Sequence, residues 1–368
     1  MVNYSLFKED SISGRYVTLD ILKSHFFSKI QTQTIYIGES VKGEHIPAFH
    51  FGDGRYKVLM WSQMHGNEST TTKAVCDMIH FLQSDDAMAK HILSKCSITV
   101  VPILNPDGAK AYTRVNYNEV DLNRDAKDRT QPESQALNKL FKNIKPHYCF
   151  NLHDQRTLFS AGNAPKPATV SFLSPSSNVE RDITPTREVA MKLIVAMNSK
   201  LQELIPGQVG RYDDGYNENC TGDSFQTTGT PTILFEAGHY ANDYEREKTR
   251  EYIFNALIKG LTTIANNQVH EYSTNDYFKI PENRKLFFDV IVLECHKVNP
   301  RFKAGEKVGI RFKEVLLNDK IVFVPEIAEK GTLEGYFGHK EIECVDSKDF
   351  GFGSEDKKIL ELLQNFDV

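Results

Sequence analysis

The chain has 368 residues, 40% of them hydrophobic and 25% charged, with a formal net charge of −5. This is the balance of a globular protein with room for one large domain and a smaller one, and it excludes a mini-domain held together only by disulfides or metal. An acidic sum with no basic run excludes an ordinary nucleic-acid partner, and no stretch nears the roughly 18 apolar residues that cross a bilayer.

The first ten residues, Met1 to Asp10, carry no basic segment followed by an apolar one. With no signal and no membrane partner read, the expected address is cytoplasmic. Six dispersed cysteines, Cys76, Cys96, Cys149, Cys220, Cys295 and Cys344, form no C-x-x-C pair and read as reduced structural residues.

Residues 1–50 read as a lead-in packed on the catalytic domain. A helix is expected from Leu19 to Ile30, with Thr18 as its N-cap, and a short strand from Thr34 to Ile37. The catalytic domain is placed at 51–268. Its pattern opens with the apolar run Lys57 to Ser62, a buried strand, followed by a helix from Ser69 to Gln83 with apolar residues near a 3.6 period. Ser97 to Leu104 is a second strand, stopped by the turn formers Asn105-Pro106-Asp107-Gly108. A helix from Glu133 to Asn143, strands Tyr148 to Leu152 and Val170 to Leu173, and a helix from Thr184 to Ile205 with Pro185 in its first turn follow. Thr232 to Phe235 is a further strand, and Asp243 to Asn267 a further helix.

Strands alternating with helices predict an α/β domain, a mixed central sheet flanked by helices. Residues 269–368 change texture to short apolar runs between turn formers, which predicts a small, mostly β C-terminal domain ending in a helix from Ser354 to Asn365. Functional groups of α/β sheets gather beyond the carboxyl ends of strands. His65, Asn105, His153 and Glu236 each stand at or just after such an end.

The chemistry is built from those positions. His65 and Glu68, three apart at a strand-to-helix junction, can point the same way and are good zinc ligands, but alone the pair is weak. His153 on the same sheet edge makes convergence the better reading. Glu236 ends a buried strand where an unpaired carboxylate is costly; beside a metal it can take and return a proton. Arg114 can stabilise an oxyanion, and Asn123 with Arg124 can bind a carboxylate. Each arginine alone is also read as an ordinary surface ion-pair residue, and Asp121 and Asp125 as partners of Arg124.

Taken in order, His65-Gly66-Asn67-Glu68, Asn105-Pro106-Asp107-Gly108, Arg114, Asp121-Leu122-Asn123-Arg124, His153 and Glu236 resemble the zinc carboxypeptidases over roughly residues 55 to 240. The resemblance implies one zinc ion on His65, Glu68 and His153, Glu236 as general base and acid, Arg114 at the oxyanion, and Asn123 and Arg124 on the substrate's terminal carboxylate. The substrate is then a small peptide. A tyrosine that closes over the substrate is expected at Tyr216, with Tyr212 as the other candidate. Asp223 is expected either to select a basic side chain or to cap its loop. His239 and Tyr240 are candidate partners behind the metal ligands, and Asp154 is expected to orient the His153 ring or the water. An N-acyl amino acid deacylase resembling aspartoacylase and succinylglutamate desuccinylase is the alternative function. A non-catalytic binding module on the same scaffold is the third.

Overall fold

The protein is described by a computed structural model covering residues 2–344 and 354–366. In chain order the first elements are α1 (Leu19–His25), β1 (Ile35–Glu39), β2 (His45–Phe51), β3 (Tyr56–Ser62), α2 (Thr70–Leu82), α3 (Ala87–Lys95) and β4 (Cys96–Val101). Then come α4 (Pro106–Ala111), α5 (Pro132–Ile144), β5 (Tyr148–Asp154), β6 (Ser160–Ala161), β7 (Val170–Leu173), α6 (Pro185–Leu204), β8 (Val209–Arg211), α7 (Thr221–Thr227), β9 (Thr232–Ala237), α8 (Glu247–Ala265) and α9 (Thr274–Tyr277).

Eight of these strands form one mixed sheet in the order β1-β2-β4-β3-β5-β9-β7-β8. Its centre, β4, β3, β5 and β9, is parallel; β2 and β7 run against their neighbours β4 and β9. The side-chain period of two explains the layering. Val58, Met60, Phe150 and Leu152 join α2, α6 and α8 in one core, while Leu59, Trp61 and Cys149 point the other way, against α5 and α7. Burial on both faces is what makes these strands read as unbroken apolar runs.

The sheet begins earlier than the sequence suggests. Residues 1–50 contain β1 and all but the last residue of β2, which join the central sheet. Pro47 hides β2 from a pattern reading; it lies opposite Tyr36 beside a bulge in β1, where a missing donor is tolerated. The expected helix to Ile30 stops at His25 and gives way to a 3-10 turn at Phe27–Lys29. Asn105-Pro106-Asp107-Gly108 is not a turn but the capped start of α4: Asn105 Oδ1 accepts the Gly108 amide at 2.9 Å, and Pro106 takes the first helical position.

The segment before α1 is locked into the core. Arg250 on α8 pairs with Asp77 on α2, and both side chains are fully buried. The Arg250 guanidinium also donates to the carbonyls of Glu9 (2.9 Å) and Ile12 (2.7 Å), and Asp77 accepts from the Glu9 amide and the Tyr4 hydroxyl.

The C-terminal domain comprises β10 (Asn283–Arg284), β11 (Phe287–Leu293), β12 (Lys307–Leu317), β13 (Lys320–Gly331), β14 (Phe337–Glu343) and α10 (Ser354–Gln364). Four strands form a sheet in the order β13-β12-β11-β14, while β10 pairs with β6. Asn318 and Asp319, both at positive φ, make the tight turn of the long β12–β13 hairpin. Ile359, Leu360 and Leu363 of α10 pack on Val290, Val292, Val308 and Ile310. No helix among the described residues is long and apolar enough to cross a membrane.

Candidate active site

Strand β3 ends at Ser62, and Gln63 turns the chain through a left-handed conformation (φ 44°) so that His65 and Glu68 precede α2. Gly66 is required there: a Cβ would lie 2.0 Å from the Gly108 backbone, so the His-Gly-Asn-Glu turn rests directly on α4. His153 and Glu236 are both within strands, one residue from the ends of β5 and β9, and are paired in the parallel ladder. Parallel partners point to the same face, so the ladder itself sets the ligand beside the carboxyl group.

The donor atoms converge. His65 Nδ1 lies 2.8 Å from Glu68 Oε1, His153 Nδ1 lies 2.8 Å from Glu68 Oε2, and the two Nδ1 atoms are 3.1 Å apart. Neighbouring ligands of a tetrahedral zinc with bonds near 2.0–2.1 Å stand roughly 3.3 Å apart. The buried imidazole–imidazole–carboxylate set therefore fits zinc in both chemistry and spacing, and these three residues form a group able to hold a metal ion.

Asp121 completes the support. His65 Nε2 faces Asp121 Oδ1 at 3.0 Å, which leaves Nδ1 as the ring atom turned toward Glu68 and His153, and Arg114 Nε donates to Asp121 Oδ2 at 3.0 Å. Arg114 Nη1 reaches Glu68 Oε1 at 3.3 Å. Asp121 also accepts the Asn123 amide at 2.9 Å. The Asp121 carboxylate thus serves His65 and Arg114, and that of Asp125 accepts the amides of Thr130 and Gln131; neither carboxylate pairs with the Arg124 guanidinium as expected, although the Arg124 amide donates to the Asp121 carbonyl at 2.8 Å. Nothing in the spacing of Asp121 from His65 announces that contact.

Asp154 does not serve the His153 ring, the first of its two expected roles. Its oxygens accept the amides of Thr70 (2.9 Å) and Thr71 (3.2 Å), opening α2, instead of orienting the His153 ring. Arg15 lies 3.7 Å away and is itself held by Glu314 of β12, at 3.2 Å to each carboxylate oxygen. Tyr112 donates its hydroxyl to the same Glu314. His239 packs on His339 and Tyr244 toward the C-terminal domain, and Tyr240 packs on Tyr252, so neither backs the metal ligands.

The electrostatics follow from burial and these contacts. Burial alone would raise the Glu68 carboxyl, but the two imidazoles beside it hold it well below the usual carboxylate range. Burial would lower His65, yet Glu68 and Asp121 raise it; for His153 burial wins and the ring stays low. Glu236 is driven well above its ordinary value by burial and then by the charges of Glu68 and Asp154, and its Oε2 is buried with no partner among the described residues.

A cavity of about 400 Å³ adjoins the donor set and is lined by Asn123, Arg124, Tyr212, Asp223 and Glu236 among others. Tyr212, rather than Tyr216, is in its wall. Arg124 donates to its neighbour's carbonyl at 2.8 Å and to Cys220 Sγ at 3.0 Å, with no carboxylate partner among the described residues. Asn123 Oδ1 accepts the Thr221 amide at 3.1 Å, which ties the Asp121–Arg124 turn to α7. Asp223 accepts the Asn217 amide at 3.1 Å, the loop-holding role; burial still pushes its carboxyl up to about 6. A second cavity, about 320 Å³, shares Glu68, Arg114, Asp154 and Arg156 but is walled by Phe312, Glu314 and Phe323 of the C-terminal domain.

A mixed α/β sheet presenting this donor set beside the half-buried Glu236 carboxyl group is a scaffold able to hold a metal ion. A model described as "Zinc carboxypeptidase" matches residues 28–256, well over half the chain, and the protein belongs to that family. Carboxypeptidase 2 of Trichophyton tonsurans is 29% identical over 111 residues, covering 30% of this chain and 20% of that protein. Carboxypeptidase M of Mus musculus is 26% identical over 199 residues, 46% of this chain and 43% of the other. This chain therefore spans less than half the length of these curated relatives. Among solved structures, a metallo-carboxypeptidase from Burkholderia cenocepacia superposes with a TM-score of 0.53 at 17% identity, over 64% of this chain and 65% of that one. Carboxypeptidase A from Helicoverpa armigera gives 0.52 at 14%, over 69% and 74%. Both share the fold.

Proposed function

We propose that this protein is a zinc-dependent hydrolase of carboxypeptidase type that cleaves an amide bond next to the free terminal carboxylate of a small peptide. The observation that carries the reading is the meeting of His65, Glu68 and His153 donor atoms beside the unpartnered carboxyl of Glu236. One ion on that triad would supply Lewis acidity, lowering the pKa of a water and polarising the scissile carbonyl.

The remaining work falls to side chains of the chain itself. Glu236 accepts the proton of the attacking water and returns it to the leaving amine. Arg114, oriented by Asp121 and Glu68, donates to the oxygen that becomes negative. Arg124, free of any carboxylate partner among the described residues, and Asn123 bind the terminal carboxylate in the 400 Å³ cavity, with Tyr212 over it. Asp223 is read as holding the loop, so selection of a basic side chain is not part of the proposal. The six free cysteines fit a reducing, cytoplasmic address.

The N-acyl amino acid deacylase reading is kept because the C-terminal sheet walls the second cavity, giving the acyl side a bounded space. Zinc-loaded protein assayed on short peptides, the same peptides amidated at the C-terminus, and N-acyl amino acids separates the readings. Cleavage of free-acid peptides only is the expected result. Hydrolysis confined to N-acyl amino acids moves the assignment to the deacylase, equal cleavage of amidated peptides removes the carboxylate role, and inertness on all three leaves a binding scaffold.

A further inference from the structure

The two cavities differ in charge. Four cations, Arg15, Arg114, Arg156 and Lys313, line the 320 Å³ cavity with three carboxylates, Glu68, Asp154 and Glu314. In the 400 Å³ cavity three arginines face five carboxyl groups. The first is the cavity away from Asn123 and Arg124, so it receives the acyl part of the substrate if the proposed function holds; the inference rests on that reading.

Its carboxylates already have partners. Glu68 is held by two imidazoles and Arg114, Asp154 by two helix amides and Arg15, and Glu314 by Arg15 and Tyr112. Arg156 is different. It lines both cavities, is exposed, and its guanidinium has no hydrogen bond or ion pair among the described residues. Its backbone is nevertheless fixed. The preceding Gln155 donates its amide to Ala237 (2.9 Å) and accepts from Arg246 (3.0 Å), and the following Thr157 accepts from His339 at 2.7 Å. A planar fork on a rigid stem, left without a partner beside a cation-rich cavity, is a ready receptor for a carboxylate. Lys313 on β12, whose nearest carboxylate is Glu326 at 3.7 Å, brings a second positive charge to the same cavity from the C-terminal domain.

We propose that Arg156, with Lys313, selects substrates whose acyl part carries its own carboxylate, so that the preferred substrate is a small amide with one carboxylate on each side of the scissile bond. The cavity sets the size. About 320 Å³ is roughly 8 to 9 Å across as a sphere, which holds about two extended residues at 3.3–3.6 Å each.

The test compares N-acetyl-Glu-X with N-acetyl-Gln-X, X being one fixed C-terminal residue, on zinc-loaded protein. Each pair is also made with the scissile amide N-methylated, so that calorimetry reads binding without turnover. The Glu member is expected to exceed the Gln member about tenfold in kcat/KM and in affinity, a ratio that shrinks with salt. In R156A the ratio should fall below about threefold, and R156K should recover part of it. Equal Glu and Gln values, or a preference that survives in R156A, overturn the proposal. Tighter Glu binding that depends on Arg156, with no hydrolysis of either peptide, sinks the carboxypeptidase reading and sustains this one. Hydrolysis with no Glu preference does the reverse.

Discussion

Glu236→Gln separates catalysis from folding more sharply than any other single change. Glu236 lies in the strand ladder opposite His153, is half-buried on the cavity wall, and has its Oε2 buried with no partner among the described residues. Burial, Glu68 and Asp154 hold its folded-state pKa well above the ordinary value. An acid whose pKa is raised by folding makes the native state bind more protons than the unfolded chain, so stability falls as pH rises from about 4.5 toward the folded value. The amide escapes that loss and keeps the shape. E236Q should therefore be as stable as the parent at pH 7, or more so by about 1–2 kcal/mol in urea melts. Removing a positioned general base should nonetheless lower kcat by about 10²–10⁴. Zinc content by atomic absorption should stay near one per chain, because His65, Glu68 and His153 are untouched. A kcat within tenfold of the parent, with zinc retained, would refute the assignment of proton transfer to Glu236.

Three further outcomes follow from other parts of the site. R124A should raise KM on free-acid peptides by about 10- to 100-fold, the cost of losing a hydrogen bond to a charged group, and lysine should rescue little because the fork is lost; initial-rate kinetics across a peptide series reads both. Chelation should abolish hydrolysis and lower the melting temperature, with both restored by stoichiometric zinc, since a ligand bound only by the native state stabilises it. For Asp223, raised to about 6, the same linkage predicts that parent stability declines between about pH 4 and 6 by as much as roughly 3 kcal/mol. In D223N the decline between paired urea melts at pH 4.5 and 7.5 should be smaller than in the parent, while the Asn217 amide keeps an oxygen to donate to.

Much of the site was legible because its members sit at positions where sequence is most constrained. His153 and Glu236 close apolar runs that can only be central strands, and His65-Gly66-Asn67-Glu68 carries a glycine that backbone contact with Gly108 demands. Contacts that depend on how loops pack were not legible. Asp121 reaches His65 across 56 positions, and Asp154 turns toward the amides of Thr70 and Thr71 instead of the imidazole beside it. Tyr212 and Tyr216 lie four apart on a loop with no period to orient either. Strand β2 was missed because Pro47 argues locally against a strand, and only a bulged partner makes it tolerable. Arg156 carried no motif; it stands out once the partners of every carboxylate around it are known.

The anchoring of the first residues limits how the protein can be shortened. A product beginning at β1 would lose Tyr4, the backbone of Glu9 and Ile12, and Arg15, stripping acceptors from Arg250 and donors from Asp77 and leaving Asp154 and Glu314 without their shared guanidinium. Proteolytic nicking ahead of α1 should therefore weaken the candidate metal site from a distance, though the cut touches neither the His65–Glu68–His153 group nor the sheet. An intact amino terminus is a sound criterion for judging whether a preparation is competent.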